Sequence, residues 1–421
     1  MNILILSDGF SAPAYKPRLR SLCDYLYAQG HVIDVFCEKA DLLLFHHEYP
    51  IYEVSLYNGR FVDWALKNCA NLLFNWKDQT FEREVEQMIG GKTYDLVFCT
   101  SFHTFPLQTA NRIAKKRNIP SVLDLRDMVE QAPANKLLYL KHHNPLLKPV
   151  AQLYSRRNIH RRNRELRKAN AVTTISPWHA NLIQSITSMP SFLIYNGYDD
   201  TVFRPKNTPS QRFKIIYTGK VFPLPQQDPS LLFEAIKKIN ISPDQLSVEW
   251  YTDTAGRQLI QYMAKQAGVL DWMRFHDMVD QNQIPGLLHD ASICLVLTSR
   301  ANDINGHGKM TTKFYEALGV EKPVLCVESD EECLAQVIRQ TNVGLSATNS
   351  EQVSAFIMEK YAEWQENGYT RQPVVASQKV LFSRQKQAGQ WEELFIEITA
   401  QPQKPRQDER PPAYRASTPT T

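Results

Sequence analysis

The residues best suited to chemistry lie in one segment of the second half, where Gly306-His307-Gly308-Lys309-Met310-Thr311 runs into Thr312-Lys313-Phe314-Tyr315-Glu316. A glycine-bearing loop that leads into a helix presents backbone N–H groups and the positive end of the helix dipole, so it predicts an anion site. Lys313 and Glu316 share one helical face. The ammonium group suits a diphosphate, and the carboxylate can accept hydrogen bonds from vicinal ribose hydroxyls. An exposed Lys–Glu pair on a surface helix is the alternative.

The elements that must position these residues follow a repeated pattern of strand, loop, helix and strand. Predicted strands lie at residues 2–6, 32–37, 94–100 and 121–125, and the pattern restarts with strands at 213–218, 247–251, 273–276, 293–297 and 323–327. Such alternation predicts an α/β protein with two Rossmann-like domains, whose parallel sheets face each other across a cleft. The predicted domains span residues 1–204 and 205–377, followed by a helix at 378–400 that packs back on the first domain and a disordered tail at 401–421.

Composition agrees with two large domains. The chain has 421 residues, 43% of them hydrophobic and 22% charged, with a net charge of +4. That charge is too small for a dedicated polyanion binder unless it is concentrated locally. No apolar stretch approaches the roughly 18 residues of a membrane span, and the apolar start is too short for a signal peptide. We therefore expect a cytoplasmic protein.

Several further motifs share their order and spacing with one enzyme family. The segment that ends in Glu316-Ala317-Leu318-Gly319 and Lys322-Pro323-Val324 resembles the C-terminal motif of the retaining GT-B glycosyltransferases of the family 4-like group. The likeness continues at Gly30-His31-Val32, Ile119-Pro120-Ser121, Asn196-Gly197-Tyr198-Asp199 and Tyr217-Thr218-Gly219-Lys220, and it spans roughly residues 1–395.

The resemblance implies transfer of a sugar from a UDP- or GDP-type donor to an acceptor with retained anomeric configuration. It places donor contacts at Lys220, at residues 308–311 (Gly308, Lys309, Met310 and Thr311), at Lys313 and at Glu316. No metal or other cofactor is expected, and no Asp-x-Asp occurs in the chain. Leaving-group charge must then be neutralised by Lys220, by Lys313, which we also count as catalytic, and by backbone amides.

Three residues of the first half are predicted to complete the site. Asp127, at the end of Asp124-Leu125-Arg126-Asp127, matches a position where many relatives carry an active-site His. We expect it to orient the acceptor hydroxyl or the donor sugar; an Arg126–Asp127 pair that caps the next helix is the alternative. His103 is a second catalytic candidate at the same sheet edge. Gly9 permits close approach of its backbone to the donor.

Two departures from the family pattern concern the donor site. Many relatives have Glu eight residues before the ribose-binding Glu, where this chain has Gly308. Relatives often carry another cation seven or eight residues after the first Lys, where this chain has Gln227 and Asp228. We interpret both as variation within a subgroup of active enzymes.

The positive charge is concentrated between Lys148 and Lys168. Arg156, Arg157, Arg161 and Arg162 form part of a cationic face, and apolar residues at 137–140 and 146–147 lie upstream. An amphipathic basic helix suits an anionic membrane surface and a lipid-linked acceptor. A solvated helix face is the alternative, and nucleic acid is not expected as a partner because a recognisable RNA module is lacking.

The function predicted from these observations is a metal-independent glycosyltransferase with a lipid-linked or saccharide acceptor, active in surface-polysaccharide biosynthesis, in the cytoplasm or on the inner face of the cell membrane. A non-catalytic sugar-nucleotide-binding scaffold and a GT-B sugar-nucleotide epimerase are the alternatives. A Rossmann oxidoreductase is disfavoured, because Gly-x-Gly-x-x-Gly is absent after the first strand.

Overall fold

The computed structural model describes residues 1–10, 16–39, 48–56, 70–71, 74–131, 148–189, 191–300 and 306–401. Within these residues the chain forms two parallel sheets, each covered by helices on both faces. The predicted apolar residues at 137–140 and 146–147, and the predicted tail from residue 402 onward, lie outside the described residues.

The first sheet has seven strands in the order β3-β2-β1-β4-β5-β6-β7. Its strands are β1 (Asn2–Ser7), β2 (Val32–Glu38), β3 (Ile51–Val54), β4 (Leu96–Ser101), β5 (Ser121–Leu125), β6 (Ala171–Thr174) and β7 (Ser191–Leu193). Its helices are α1 (Lys16–Ala28), α2 (Trp76–Ile89), α3 (Leu107–Arg117), α4 (Lys148–Leu166) and α5 (Pro177–Thr187). The central strand β1 is almost wholly apolar because a parallel sheet is buried on both faces.

The second sheet has six strands in the order β10-β9-β8-β11-β12-β13. Its strands are β8 (Phe213–Thr218), β9 (Leu246–Tyr251), β10 (Met273–His276), β11 (Ile293–Leu297), β12 (Val324–Val327) and β13 (Gly344–Ser346). The helices are α6 (Ser230–Lys238), α7 (Thr254–Ala267), α8 (Ile284–Asp290), α9 (Thr312–Val320), α10 (Cys333–Thr341), α11 (Ser350–Asn367), α12 (Ala376–Lys379) and α13 (Arg384–Ala400). Short 3₁₀ turns cover Leu270–Trp272, Gln281–Gln283 and Val380–Phe382.

Two chain segments run side by side where the halves join. The Tyr198 amide donates to the Phe382 carbonyl, and the Arg384 amide donates to the Tyr198 carbonyl, each at 3.0 Å. Helix α13 then returns to the first sheet, where Trp391 and Phe395 pack against Phe98. The prediction of an α/β protein with two Rossmann-like domains is confirmed.

The sequence pattern predicts one continuous helix from residue 378, but the structure has α12, a 3₁₀ turn and then α13. The break has a local cause. The Ser383 hydroxyl accepts the Lys386 amide hydrogen as the N-cap of α13, while it donates to Asp200 at 2.6 Å. A helix must begin anew at this residue.

Candidate active site

Both sheets direct their switch points into one cleft. In each sheet the chain order reverses beside the first strand, between β1 and β4 and between β8 and β11. Open parallel sheets bind ligands at this place, outside the carboxyl ends of the strands. Gly9 and His103 come after β1 and β4, and Gly219-Lys220 comes after β8.

The anion site is built from α9 and the loop after β8. Lys313, in the first turn of α9, is partly buried, with Nζ 5.2 Å from the centre of the Tyr217 ring. A Cβ at Gly219 would lie 3.2 Å from Cε and 3.3 Å from Nζ of Lys313. The glycine therefore lets the lysine lie against the backbone next to Lys220, whose side chain is exposed. Burial lowers the pKa of Lys313, and the Glu316 carboxyl opposes that shift.

Glu316 lies one turn further along α9 and is also partly buried. Burial raises the pKa of its carboxyl to about 7, and the positive charges of Arg384 and Lys313 oppose the rise. Arg384, in the first turn of α13, lines a cavity of about 30 Å³ together with Thr312, four residues before Glu316. Lys313 and Glu316 thus lie close together, as predicted from their spacing.

The loop before α9 contains a glycine in the left-handed region. Gly308 has φ +65°, a left-handed conformation that favours glycine, and Met310 is buried. Lys309 is exposed, and Thr311 precedes the first residue of α9. Residues 308–311 therefore lie at the N-terminal end of the helix, where backbone amides can face an anion.

Asp127 lies on the opposite wall of the cleft, just beyond β5. Burial raises the pKa of its carboxyl to about 6. The positive charges of Arg126 and of Lys309, from the other domain, oppose the rise, whereas Asp8 adds to it. Asp127 is therefore within electrostatic reach of the loop at residues 306–311, which we call the donor loop after its predicted role.

Arg126 makes a different contact from the predicted pair with Asp127. Its guanidinium donates to Asp8 at 2.7 Å and stacks over the Phe102 ring at 4.4 Å. Asp8 also accepts the Phe102 amide hydrogen at 2.8 Å. These contacts tie the loops after β1, β4 and β5 together at the floor of the cleft.

His103 and Gly9 lie on the same floor. His103 is exposed, yet desolvation by the surrounding protein lowers its pKa. The positive charges of Arg162 and Arg126 act in the same direction, and the negative charge of Asp8 opposes them. A histidine neutral at pH 7 can accept a proton. Gly9 is buried, and its carbonyl accepts the Ser7 hydroxyl at 3.0 Å.

Asp124, unlike Asp127, has hydrogen bonds from protein groups to both of its carboxylate oxygens. Burial favours its neutral form, but Arg18 forms two hydrogen bonds with the carboxylate, at 2.9 and 3.3 Å, and holds its pKa below the ordinary value. The Thr100 and Thr173 hydroxyls donate to the same carboxylate at 2.8 and 2.7 Å. Every oxygen is occupied by protein, so Asp124 braces β5 from inside the sheet.

The cationic face predicted for α4 needs correction at Arg161 and Arg162. Arg161 is buried and paired with Asp78 at 2.9 Å, and Arg162 is fully buried and paired with Glu130 at 2.6 Å. Arg156 is exposed and Arg157 partly so. Half of the predicted face therefore pairs with acidic partners inside the domain, because α4 lies against α3 rather than standing free.

Gln227, which takes the place of a cation in many relatives, braces the loop after β8. Its Oε1 accepts the Phe222 amide hydrogen at 2.9 Å and the Tyr217 hydroxyl at 3.2 Å. Across the part of the chain that the structure describes, no group of three or more His, Cys, Asp or Glu side chains could hold a metal ion. No helix in that part is long and apolar enough to cross a membrane.

Sequence reasoning missed the residues that come to the cleft from distant segments. Arg384, Trp178 and Gln131 contact the donor half only after the two domains meet. Nothing in their local sequence signals a role, because Trp178 reads as the first turn of a helix and Arg384 as part of a helix surface.

Comparison with known proteins agrees with the fold. Residues 18–202 match the model of Glycosyltransferase Family 4. Sucrose-phosphate synthase from Thermosynechococcus elongatus is 14% identical, with a TM-score of 0.63 over 95% of this chain and 100% of that chain. A glycosyltransferase from Rickettsia africae is 12% identical, with a TM-score of 0.64 over 95% and 98% of the two chains.

HepE from Anabaena, solved in complex with UDP, is 15% identical, with a TM-score of 0.61 over 94% of this chain and 100% of that chain. No curated protein matches the sequence significantly. At these identities the solved structures show the fold, and the family model reports a similarity that is confined to residues 18–202. The chain therefore has the GT-B fold of glycosyltransferases, and residues 18–202 are similar to glycosyltransferase family 4.

Proposed function

We propose that the protein transfers a sugar from a UDP- or GDP-sugar to a lipid-linked or saccharide acceptor, with retention of configuration, in surface-polysaccharide biosynthesis. The observation that carries the proposal is the arrangement on α9, where Lys313 lies against Gly219 and Glu316 is near enough to Lys313 for their charges to interact. HepE, a structural relative, was solved with UDP and with UDP-glucose. Another relative is a lipopolysaccharide outer core galactosyltransferase, WaaB.

In the proposed reaction Glu316 accepts hydrogen bonds from the ribose hydroxyls. Lys313, Lys220 and the amides of residues 308–311 hold the diphosphate and neutralise the charge that develops on it as the sugar leaves, without a metal ion. Such fixed donors need no reorganisation during the reaction. Asp127 orients the acceptor hydroxyl or the donor sugar, and His103, neutral near pH 7, is the second candidate to take the acceptor proton.

A thermal-shift screen against UDP, GDP, ADP and CMP tests whether the protein binds a nucleotide and which base it prefers. A nucleotide at 100 times its dissociation constant stabilises the protein by about 2.7 kcal/mol. We expect Glu316→Ala to weaken binding of the preferred nucleotide by about 1–3 kcal/mol in calorimetry, because hydroxyl contacts are lost. Glu366→Ala, an exposed carboxylate on α11, is the matched control. Equal affinity in wild type and Glu316→Ala would remove Glu316 from the site.

Turnover separates the three classes of function. A transferase releases nucleotide from UDP-glucose or GDP-mannose when an acceptor is present. A scaffold binds the donor without releasing nucleotide, and an epimerase interconverts donors with no acceptor. Product analysis by NMR reports whether the anomeric configuration is retained.

We further propose that the first domain binds an anionic membrane surface through a smaller patch than the sequence predicted, in keeping with a lipid-linked acceptor. Phe74 and Leu153 are 68% and 67% exposed, and Arg157 links their neighbourhoods by donating to Asn75 at 3.3 Å. Arg156 is exposed one turn from Leu153. We call Phe74, Leu153, Arg156 and Arg157 the α4 patch. It combines apolar side chains with adjacent cations, as interfacial surfaces do.

A further inference from the structure

Side chains from both domains meet at the loop before α9, on the far side of the donor site. The Trp178 ring stacks on the His307 ring, with centres 5.3 Å apart and planes 4° from parallel. Gln131 Nε2 donates to the His307 carbonyl at 2.7 Å, and Gln131 Oε1 lies 2.9 Å from His179 Nε2. On the C-terminal side, His307 Nδ1 lies 2.7 Å from the Glu332 carboxylate. His307 is thus held by both domains; we call Trp178, Gln131 and His307 the clasp.

The residue after His307 has no room for a side chain in this arrangement. A Cβ at Gly308 would lie 2.7 Å from Ser176 Oγ and 3.1 Å from Trp178 Cβ. The backbone of the donor loop therefore approaches the N-terminal end of α5 directly. Any larger residue here would force the loop away from the first domain.

The clasp lies close in sequence to Lys309. This lysine is two residues beyond His307, and its charge acts on the Asp127 carboxyl across the cleft. Gln131, four residues after Asp127, makes the hydrogen bond to the His307 carbonyl. The short segments 127–131 and 307–309 are thus joined by the Gln131–His307 hydrogen bond, and the charge of Lys309 acts on Asp127.

We propose that Trp178 and Gln131 are positioning residues that hold the donor loop against the first domain and thereby keep Lys309 near Asp127. The inference rests on the proposed function, in which Asp127 acts on the acceptor or the sugar and the loop binds the diphosphate. The site then needs both domains: the charge that acts on Asp127 comes from one domain, and the residues that hold its loop in place come from the other.

Hydrogen–deuterium exchange of the full-length protein without substrate tests the clasp directly. We expect Trp178→Ala to raise exchange at least tenfold in residues 306–311 and in the first turn of α5, because the stacked contact is lost. Trp178→Phe, which preserves stacking, should restore protection. Trp364→Ala, at a partly buried tryptophan on α11, controls for general loosening. Unchanged exchange of residues 306–311 in Trp178→Ala overturns the proposal.

The pH dependence of UDP-glucose hydrolysis gives a second measurement, which a general destabilisation of the fold would not change. Asp127 is faced by Arg126, Asp8 and Lys309. In Trp178→Ala, Lys309 should move away from Asp127, and the loss of its positive charge should raise the pKa of the Asp127 carboxyl. The acidic limb of the plot of kcat against pH should therefore move to higher pH. We expect kcat to fall at least tenfold and KM to change less. If only KM changes and the acidic limb of the kcat profile stays at the same pH, the positioning role is contradicted.

The two experiments separate the clasp from the proposed function. If the wild-type protein turns over neither UDP-glucose nor any other donor, the proposed function fails, and exchange alone decides whether the clasp holds the loop. If wild type is active and Trp178→Ala behaves like wild type in both measurements, the clasp fails and the proposed function stands.

Discussion

At the scale of single residues, the Glu316 carboxyl lies in surroundings that favour its neutral form. Burial raises its pKa from the ordinary value of 4.5 to about 7. In the unfolded chain the Glu316 carboxyl loses its proton above pH 4.5, whereas in the folded protein it keeps the proton until about pH 7. The stability that this group contributes is therefore complete below pH 4.5 and is lost as the pH rises through 7.

Glu316→Gln should remove this pH dependence. At pH 8 we expect the free energy of unfolding of the variant to exceed that of wild type by about 1–3 kcal/mol, because the variant buries no carboxylate charge. The difference should shrink as the pH falls from 7 toward 5. Urea unfolding across pH 5–8 measures it, with Glu366→Gln as the control. A difference that is the same at pH 5 and pH 8 would contradict the assignment.

Gly308 stands where many relatives carry Glu, and the structure gives a steric reason for the change. A Cβ there would lie 2.7 Å from Ser176 Oγ, and the residue has φ +65°. We expect Gly308→Ala to destabilise the protein by about 1–2 kcal/mol through the left-handed backbone, and Gly308→Glu to lower donor turnover rather than raise it. Thermal unfolding and donor hydrolysis measure these effects. Gly286→Ala, in a helix with open space around the Cβ, is the control.

At the scale of elements, α4 carries two kinds of arginine. Arg161 and Arg162 form buried ion pairs with acidic side chains. Removing one partner of such a pair lowers the free energy of unfolding by about 3–5 kcal/mol. Arg156 and Arg157 lie toward solvent with Leu153. The helix is thus anchored by one set of arginines and leaves the other set at the surface.

The α4 patch makes a prediction for membrane binding. We expect Arg156→Gln together with Arg157→Gln to weaken binding to vesicles with 30% phosphatidylserine by roughly tenfold or more, since each cation near an anionic surface contributes about 1 kcal/mol. Lys237→Gln with Lys265→Gln removes two exposed charges from the other domain as the control. Sedimentation with vesicles at low and high salt measures it. Equal loss in both double variants would refute the patch.

The elements nearest the donor site could be predicted because their signals are local. The glycine-bearing loop and the apolar positions after it predict a helix at 312–318, and α9 spans Thr312–Val320. The burial of Arg162 could not be predicted, because its partner Glu130 lies 32 residues away. The break before α13 likewise depends on Asp200, 183 residues from Ser383. Long-range pairing, rather than propensity, decides these features.

At the scale of the whole molecule, the repeated alternation of strands and helices was enough to predict two Rossmann-like halves facing a cleft. It could not show how the halves meet. Trp178 and His307 lie 129 positions apart, and they stack only because the second domain is held against the first. The helix that carries Lys313 and Glu316 could therefore be predicted from sequence, whereas the contacts between the two domains could not.

The return of α13 also bears on biosynthesis. One face of the first sheet, with Ile3, Ile5 and Val35, is covered in part by Trp391 and Phe395. A ribosome working at 5–20 residues per second needs roughly 20–70 seconds to travel from the early strands to that helix. For that interval the nascent first sheet lacks part of its apolar cover. The domain of the first sheet therefore cannot complete its packing until α13 has been synthesised.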